Sequence, residues 1–102
     1  MAGRTLKTPI TVLHLIRKMH PNLKRKVRTA LTDILANPAL GRPLRAELTG
    51  LWSWRVGQHR VIYRPDAAGA EIIAIGPRRT IYEDTAKQIV FTRRKNNVPM
   101  KK

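Results

Sequence analysis

Cysteine is absent from the 102 residues, which excludes disulfides, a thiolate nucleophile and any zinc site that needs a Cys ligand. Acid is scarce, with 6 Asp and Glu against 21 Lys and Arg, a formal net charge of +15. Those acids (Asp33, Glu47, Asp66, Glu71, Glu83 and Asp84) are too scattered to suggest a catalytic carboxylate pair or a two-metal nuclease. His14, His20 and His59 lack HExxH-type spacing, and no Walker loop or GxGxxG occurs, so neither metal nor cofactor is expected. Long hydrophobic runs are missing too. Thr11, His14, Arg17 and Lys18 interrupt the N-terminal apolar stretch and no small-residue cleavage site follows, which argues against a signal peptide and a membrane span. The stretch from Leu13 to Met19 has no aromatic anchor for a bilayer surface, and the missing cysteines suit a cytoplasmic life.

Hydrophobic residues still make up 42% of the chain, enough for one small core rather than a disordered polycation. The surplus charge therefore decorates a folded surface. Eight basic residues and no acid lie between Met1 and Ala30, and the stretch from Arg93 to Lys102 is equally one-sided. A sequence pI near 11.7 concentrates polyanions, and nucleic acid is the default partner, bound with steep salt dependence. A solvated face is the alternative for any single lysine.

After an extended TLKT, Ile10, Leu13, Ile16 and Met19 recur at helical spacing up to His20-Pro21-Asn22. A second stripe of Leu23, Val27, Leu31, Ile34 and Leu35 follows, ended by Asn37-Pro38, and the two helices read as a hairpin that needs a surface to cover. Residues 37–50 read as a loop with a short turn near Ala46-Glu47. LWSWRV and HRVIYR then flank Gly57-Gln58, which suits a type II′ hairpin turn. Counting from that turn pairs Val56 with His59, Arg55 with Arg60, Trp54 with Val61, Ser53 with Ile62 and Trp52 with Tyr63.

One face of the hairpin then carries Trp52, Trp54, Val56, His59, Val61 and Tyr63, a core face on which His59 is a packed, hydrogen-bonded residue. The other carries Leu51, Ser53, Arg55, Arg60, Ile62 and Arg64. Arg55 opposite Arg60 is a like-charge pair that costs free energy unless an anion lies between them or both splay into water. AEIIAIG reads as an interior strand, Arg78 and Arg79 lie just past it, and Tyr82 is placed to converge with one of them on the Arg55/Arg60 face. Residues 83–90 are expected to form a short helix, and the tail after it has no periodicity and is expected to be mobile.

An arginine-rich face with a tyrosine can cleave RNA without a metal ion. The 2′-OH of the substrate is itself the nucleophile, and the protein has to position it and stabilise the extra negative charge of a phosphorane. Arginine presents a rigid, permanently charged fork to phosphate oxygens, and tyrosine can stack on a base or take or relay a proton.

The order of helical hairpin, Pro-rich loop, LWSWRVGQHRVIY, apolar strand and IGPRRTIY resembles the RelE/ParE superfamily of toxins from bacterial toxin–antitoxin pairs. The likeness covers roughly residues 5–90, and its most specific part is the W-x-x-R-V-G-x-x-R-V-I-Y run followed by a strand and R-x-x-x-Y. It implies an α+β fold, a small twisted, mainly antiparallel sheet with the N-terminal αα-hairpin packed on one face, over residues 1–92, with 93–102 as a basic tail. The RelE-like branch implies a ribosome-dependent mRNA endonuclease that works in the decoding (30S A) site. On that reading Arg60, Arg78 and Tyr82 are catalytic, and Ser53, Arg55, Arg64, Arg79, Lys24, Lys26 and Arg28 bind substrate. The family's RNases often have Lys or Arg where this chain has Ser53, and many have His where it has Pro77, departures that bear on rate and mechanism more than on binding. The ParE-like branch implies inhibition of DNA gyrase instead, and a non-catalytic RNA-binding module is a third possibility. Either toxin branch implies a cognate antitoxin whose acidic segment wraps the basic surface in a hetero-oligomer.

Overall fold

The computed structural model describes residues 4–97, with side chains described as far as Ile89. In chain order the elements are β1 (Thr5–Lys7), α1 (Ile10–Arg17), α2 (Pro21–Ala36), β2 (Arg42–Pro43), β3 (Trp52–Val56), β4 (His59–Asp66), β5 (Gly69–Pro77) and α3 (Ile81–Asn97), with single 3-10 turns at Pro38–Leu40 and Ala46–Leu48. The strands form one five-stranded sheet in the order β1-β5-β4-β3-β2. Only β1 runs parallel to its neighbour, β5. The expected α+β architecture, with the helical hairpin on one face of a mainly antiparallel sheet, is the one observed.

Local chemistry sets the helix boundaries. Pro21 occupies the first turn of α2, where a missing N–H costs nothing, and the His20 ring accepts a hydrogen bond from the Asn22 N–H at 3.1 Å. At the other end Asn37 breaks the helix, its side chain accepting from the Ala39 N–H, while the Arg4 guanidinium donates to the carbonyls of Leu35 and Ala36. That contact satisfies carbonyls left without helical partners and sets a cation at the negative end of the helix dipole.

The hairpin has the register obtained by counting, from Trp52 opposite Tyr63 to Val56 opposite His59. Gly57 sits at φ +61° while Gln58 keeps a negative φ, the combination that defines a II′ rather than a I′ turn. Between β4 and β5 the register slips by one residue, since Ile62 faces Ala74 but Tyr63 faces Ile72. This bulge leaves Ile73 as the extra residue on β5, so Ile72 and Ile75 share one face while Ile73 and Ala74 share the other.

Two apolar clusters result. Val12, Ile16, Val27, Ala30 and Ile34 of the helical hairpin cover Val56, Val61, Tyr63, Ala70, Ile72 and Ile75 on one face of the sheet. On the other face Leu48, Leu51, Ile62 and Ile81 form a smaller cluster. This second layer forms because α3 returns across the sheet and buries its centre. Gly76 permits that approach: a side chain there would begin 2.8 Å from the Ile81 Cδ1.

Four expectations change. In α1 the structure buries Val12 and Ile16 and leaves Ile10 and Leu13 exposed, because the helix is apolar on so many sides that periodicity does not select a face. The loop 37–50 contains the two-residue edge strand β2, held to β3 through Arg42 opposite Ser53. Propensity gives little sign of it, and the placement rests on Gly41, whose N–H donates to the Tyr63 hydroxyl at 3.0 Å while that hydroxyl donates to the Pro38 carbonyl at 2.7 Å. The terminal helix, expected over 83–90, spans Ile81–Asn97, so the stretch expected as a tail from residue 93 begins inside it. Asp84 and Glu83 favour its positive N-terminus, and Glu83 pairs with Lys87 one turn on at 3.4 Å. Residues 98–102 of the expected tail lie outside the described residues. Finally, His59 is half-buried at the sheet's end rather than packed in the core cluster. Among the described residues no helix is long and apolar enough to cross a membrane.

Candidate functional site

The face of the sheet under α3 brings three of the expected site residues together. Ser53 of β3 and Arg60 of β4 project to this face by strand alternation, and Tyr82 reaches it from the first turn of α3. The Tyr82 hydroxyl lies 3.0 Å from Ser53 Oγ, and Arg60 Nη1 donates to the same Ser53 oxygen at 3.3 Å. The Arg60 guanidinium carbon stands 5.7 Å from the centre of the Tyr82 ring, within cation–π range. One hydroxyl therefore holds both the phenol and the guanidinium.

Ser53 is only 2% exposed. Expected as a substrate contact, it is enclosed in the structure, where its hydroxyl orients Arg60 and Tyr82. Because Arg60 can only donate, it occupies a lone pair of Ser53 Oγ, and the serine proton remains free to turn toward Tyr82. The Ser53–Tyr82 bond thus survives whichever of the two oxygens carries the bridging proton. Among the described residues Arg60 Nε is buried with no hydrogen-bond partner, an unusual state for a buried donor.

Beside this cluster, at the end of the sheet, Arg55, Gln58, His59, Pro77, Arg78 and Arg79 line an open groove of about 630 Å³. The Arg78 N–H donates to the Gln58 carbonyl at 2.8 Å, which ties the β5–α3 turn to the β3–β4 turn and fixes where the arginines leave the backbone. Arg55 and Arg60 are directly opposed across β3 and β4, as counted. They avoid each other in the way the geometry allows: the Arg55 Nε–H folds back to the Gly57 carbonyl at 3.1 Å, and Arg60 turns inward under α3. Among the described residues none of Arg55, Arg60, Arg78 and Arg79 has a carboxylate partner, so the groove presents uncompensated guanidinium groups.

The other expected contacts lie elsewhere. Arg64 shares a face with Arg60 but stands about 13 Å further along the strand, paired with Glu71 at 3.1 Å. Its charge is already answered. Lys24, Lys26 and Arg28 belong to α2, which covers the opposite face of the sheet, so they are corrected from substrate contacts at this site to a separate surface. His59, expected in the core, and Gln58, expected only as a turn residue, also line the groove. The cross-strand pairing of His59 with Pro77 is the signal that finds them, since it brings the hairpin turn level with the IGPRR turn.

Comparison with known proteins follows the same lines. The family of ParE toxins of type II toxin–antitoxin systems, parDE, has a sequence model that matches residues 13–82. No curated sequence matches the chain. Among solved structures, the toxin–antitoxin complex RelBE2 from Mycobacterium tuberculosis contains a chain that is 28% identical, with a TM-score of 0.66 over 76% of this chain and 100% of that one. The YoeB–YefM complex from Staphylococcus aureus gives 22% identity and a TM-score of 0.60, covering 72% of this chain and 95% of that chain. The isolated RelE toxin of Escherichia coli gives 18% and 0.64, covering 85% and 99%. The last two are similar in fold alone.

Proposed function

The chain belongs to the ParE toxin family of type II toxin–antitoxin systems, within the RelE/ParE superfamily, and from that premise we propose that it is an mRNA endonuclease that stops translation. The observation that carries this reading is the convergence of Arg60, Ser53 and Tyr82 beside a groove of arginines that have no carboxylate partner among the described residues. In the proposed step the 2′-oxygen of the RNA attacks the adjacent phosphorus, the bond to the 5′-oxygen breaks, and a cyclic phosphate and a 5′-hydroxyl end result. Arg60 and Arg78 answer the charge that accumulates on the phosphorane oxygens, where rigid guanidinium donors are most effective. Tyr82, oriented by Ser53, stacks on a base or relays the proton leaving the 2′-hydroxyl. Arg55 and Arg79 hold the flanking phosphates. The ribosomal 30S A site supplies the extended mRNA, and the work takes place in the cytoplasm.

The partner proposed for the toxin is an antitoxin with an acidic segment. A net charge of +15 invites such a cover, and two of the similar structures are toxin–antitoxin complexes by their own description. Co-purification with the product of the neighbouring reading frame tests this, with release at high salt as the expected outcome.

The family match itself favours a second reading, inhibition of DNA gyrase. A cell-free translation reaction separates the two. Primer extension on the mRNA is expected to show new ends within codons, lost with Arg78→Ala and Tyr82→Ala and absent without ribosomes. Intact mRNA together with a failing gyrase supercoiling assay would overturn the nuclease reading in favour of the second.

A further inference from the structure

Breaking the bond to the 5′-oxygen moves two protons, and the residues assigned so far handle one. Tyr82 can relay the proton that leaves the 2′-hydroxyl, but the 5′-oxygen is expelled with an extra electron pair and has to receive a proton of its own. Arg60 and Arg78 are poor sources, because a guanidinium does not give up its proton in a protein. His59 is the group left over. The other residues that line the groove beside Tyr82 are three arginines, an amide and a proline, so His59 alone is of a type that gains and loses a proton near neutral pH.

Its surroundings suit that task in three ways. His59 pairs with Pro77 across β4 and β5, and opposed residues of an antiparallel pair have Cα atoms about 5 Å apart, so the imidazole starts beside Arg78. The bond from the Arg78 N–H to the Gln58 carbonyl, 2.8 Å long, holds the two turns in that relation. Second, the ring is uncommitted. Whereas the His20 ring is used to cap α2, among the described residues no group hydrogen-bonds the His59 imidazole, and its nitrogens are not buried. Third, His59 and Arg60 are neighbours on β4, so their side chains leave by opposite faces of the sheet: Arg60 turns under α3 toward Tyr82, and His59 starts on the side of the helical hairpin.

We propose, on the endonuclease reading, that His59 is the general acid of the cleavage and gives its proton to the 5′-oxygen. An in-line displacement at phosphorus puts the entering and leaving oxygens at opposite apices. A phosphate held by Arg78 past the end of the sheet has Tyr82 toward one face and His59 toward the other, as that line requires. The electron pair of the 2′-oxygen makes the new bond to phosphorus, the pair of the P–O5′ bond departs with the 5′-oxygen, and that oxygen takes the imidazolium proton. Neutral His59 regains a proton from water through the open groove while the 2′ proton leaves through Tyr82, so none is consumed.

The test uses the full chain on ribosomes programmed with a short mRNA, made with either oxygen or sulfur at the bridging 5′ position of the linkage that primer extension maps. A thiolate leaves without a proton, so sulfur there removes the need for an acid. On the oxygen RNA, His59→Gln and His59→Asn are expected to lose about a hundredfold in cleavage rate. On the sulfur RNA both should come within about threefold of the wild type, whereas Tyr82→Phe, on the attacking side, should be slow on both. Cleavage of the oxygen RNA at the wild-type rate by His59→Gln would overturn the assignment. Equal losses on the two RNAs, the result of a merely distorted groove, would overturn it as well. Wild-type protein that cuts neither RNA would fail the endonuclease reading and the assignment with it, so the wild type alone tells the two failures apart.

Discussion

The two faces of the sheet are built from different materials. Under α1 and α2 the contact is almost wholly hydrocarbon, with Val27, Ile34, Val61 and Ile72 fully enclosed and the Tyr63 hydroxyl, bonded at the margin, its main polar group. Under α3 the same depth of burial holds Ile62 and Leu51 beside Ser53 and Thr85, with Arg60 and Tyr82 at the margin. The first arrangement is insensitive to orientation, since apolar burial depends on area. The second works only if each polar atom meets its partner, and among the described residues Arg60 Nε has none. On the proposed reading stability and function are carried by opposite faces, and substitutions should divide accordingly.

The largest effect is expected on the apolar face. Ile34→Ala removes a side chain with no exposure and should lower unfolding stability by about 2–5 kcal/mol, read from the urea midpoint. Any activity lost would follow the unfolded fraction. On the polar face the order reverses: Tyr82→Phe should leave the midpoint within about 1 kcal/mol yet reduce mRNA cleavage about a hundredfold. Ser53→Ala lies between them. It strips Arg60 Nη1 and the Tyr82 hydroxyl of a shared partner, and should cost about 1–3 kcal/mol and about tenfold in rate, with binding of substrate changed little. Equal losses of stability in Ile34→Ala and Tyr82→Phe would break the division between faces.

Two smaller effects sharpen it. Burial raises the Tyr63 hydroxyl above its ordinary value of 10.0, with the Gly41 hydrogen bond opposing in part. In the folded state the proton is thus held more tightly than in the unfolded chain, so the contribution is complete below about pH 10 and declines as pH rises above it. Urea midpoints measured from neutral to alkaline pH should fall at the upper end, and Tyr63→Phe should flatten that fall while costing about 1 kcal/mol at neutral pH for the lost Gly41 and Pro38 bonds. The smallest change is expected from Glu71→Gln. Its pair with Arg64 is largely exposed, worth at most about 1 kcal/mol, and its loss should leave cleavage unchanged.

Much of this was legible along the chain. The hairpin register was, because a two-residue turn and a period of two leave no freedom once Gly57 is placed. The αα-hairpin was, because Pro21 and Asn37-Pro38 punctuate it. Edge strand β2 was not, since two residues carry no periodicity and Arg42 pairs with Ser53 only through Gly41's approach to Tyr63. The bulge after Ile62 was not either, because it depends on which of two adjacent isoleucines the helices cover. At the site, Arg60, Arg78 and Tyr82 stood out by residue type, whereas the burial of Ser53 and the place of His59 needed the second layer and the neighbouring turn.

By itself the sequence determined the charge, the element order, the hairpin pairing and the set of groups able to meet phosphate, all of which depend on residue type and short-range spacing. Tertiary structure alone decided that α3 closes over Ser53, that Arg64 is answered by Glu71, and that the α2 cations face away from Tyr82. The physical reason is one of range. Strand alternation and turn geometry act between neighbours, but the side of a sheet on which a distant helix comes to rest is settled by competing apolar surfaces across the whole chain.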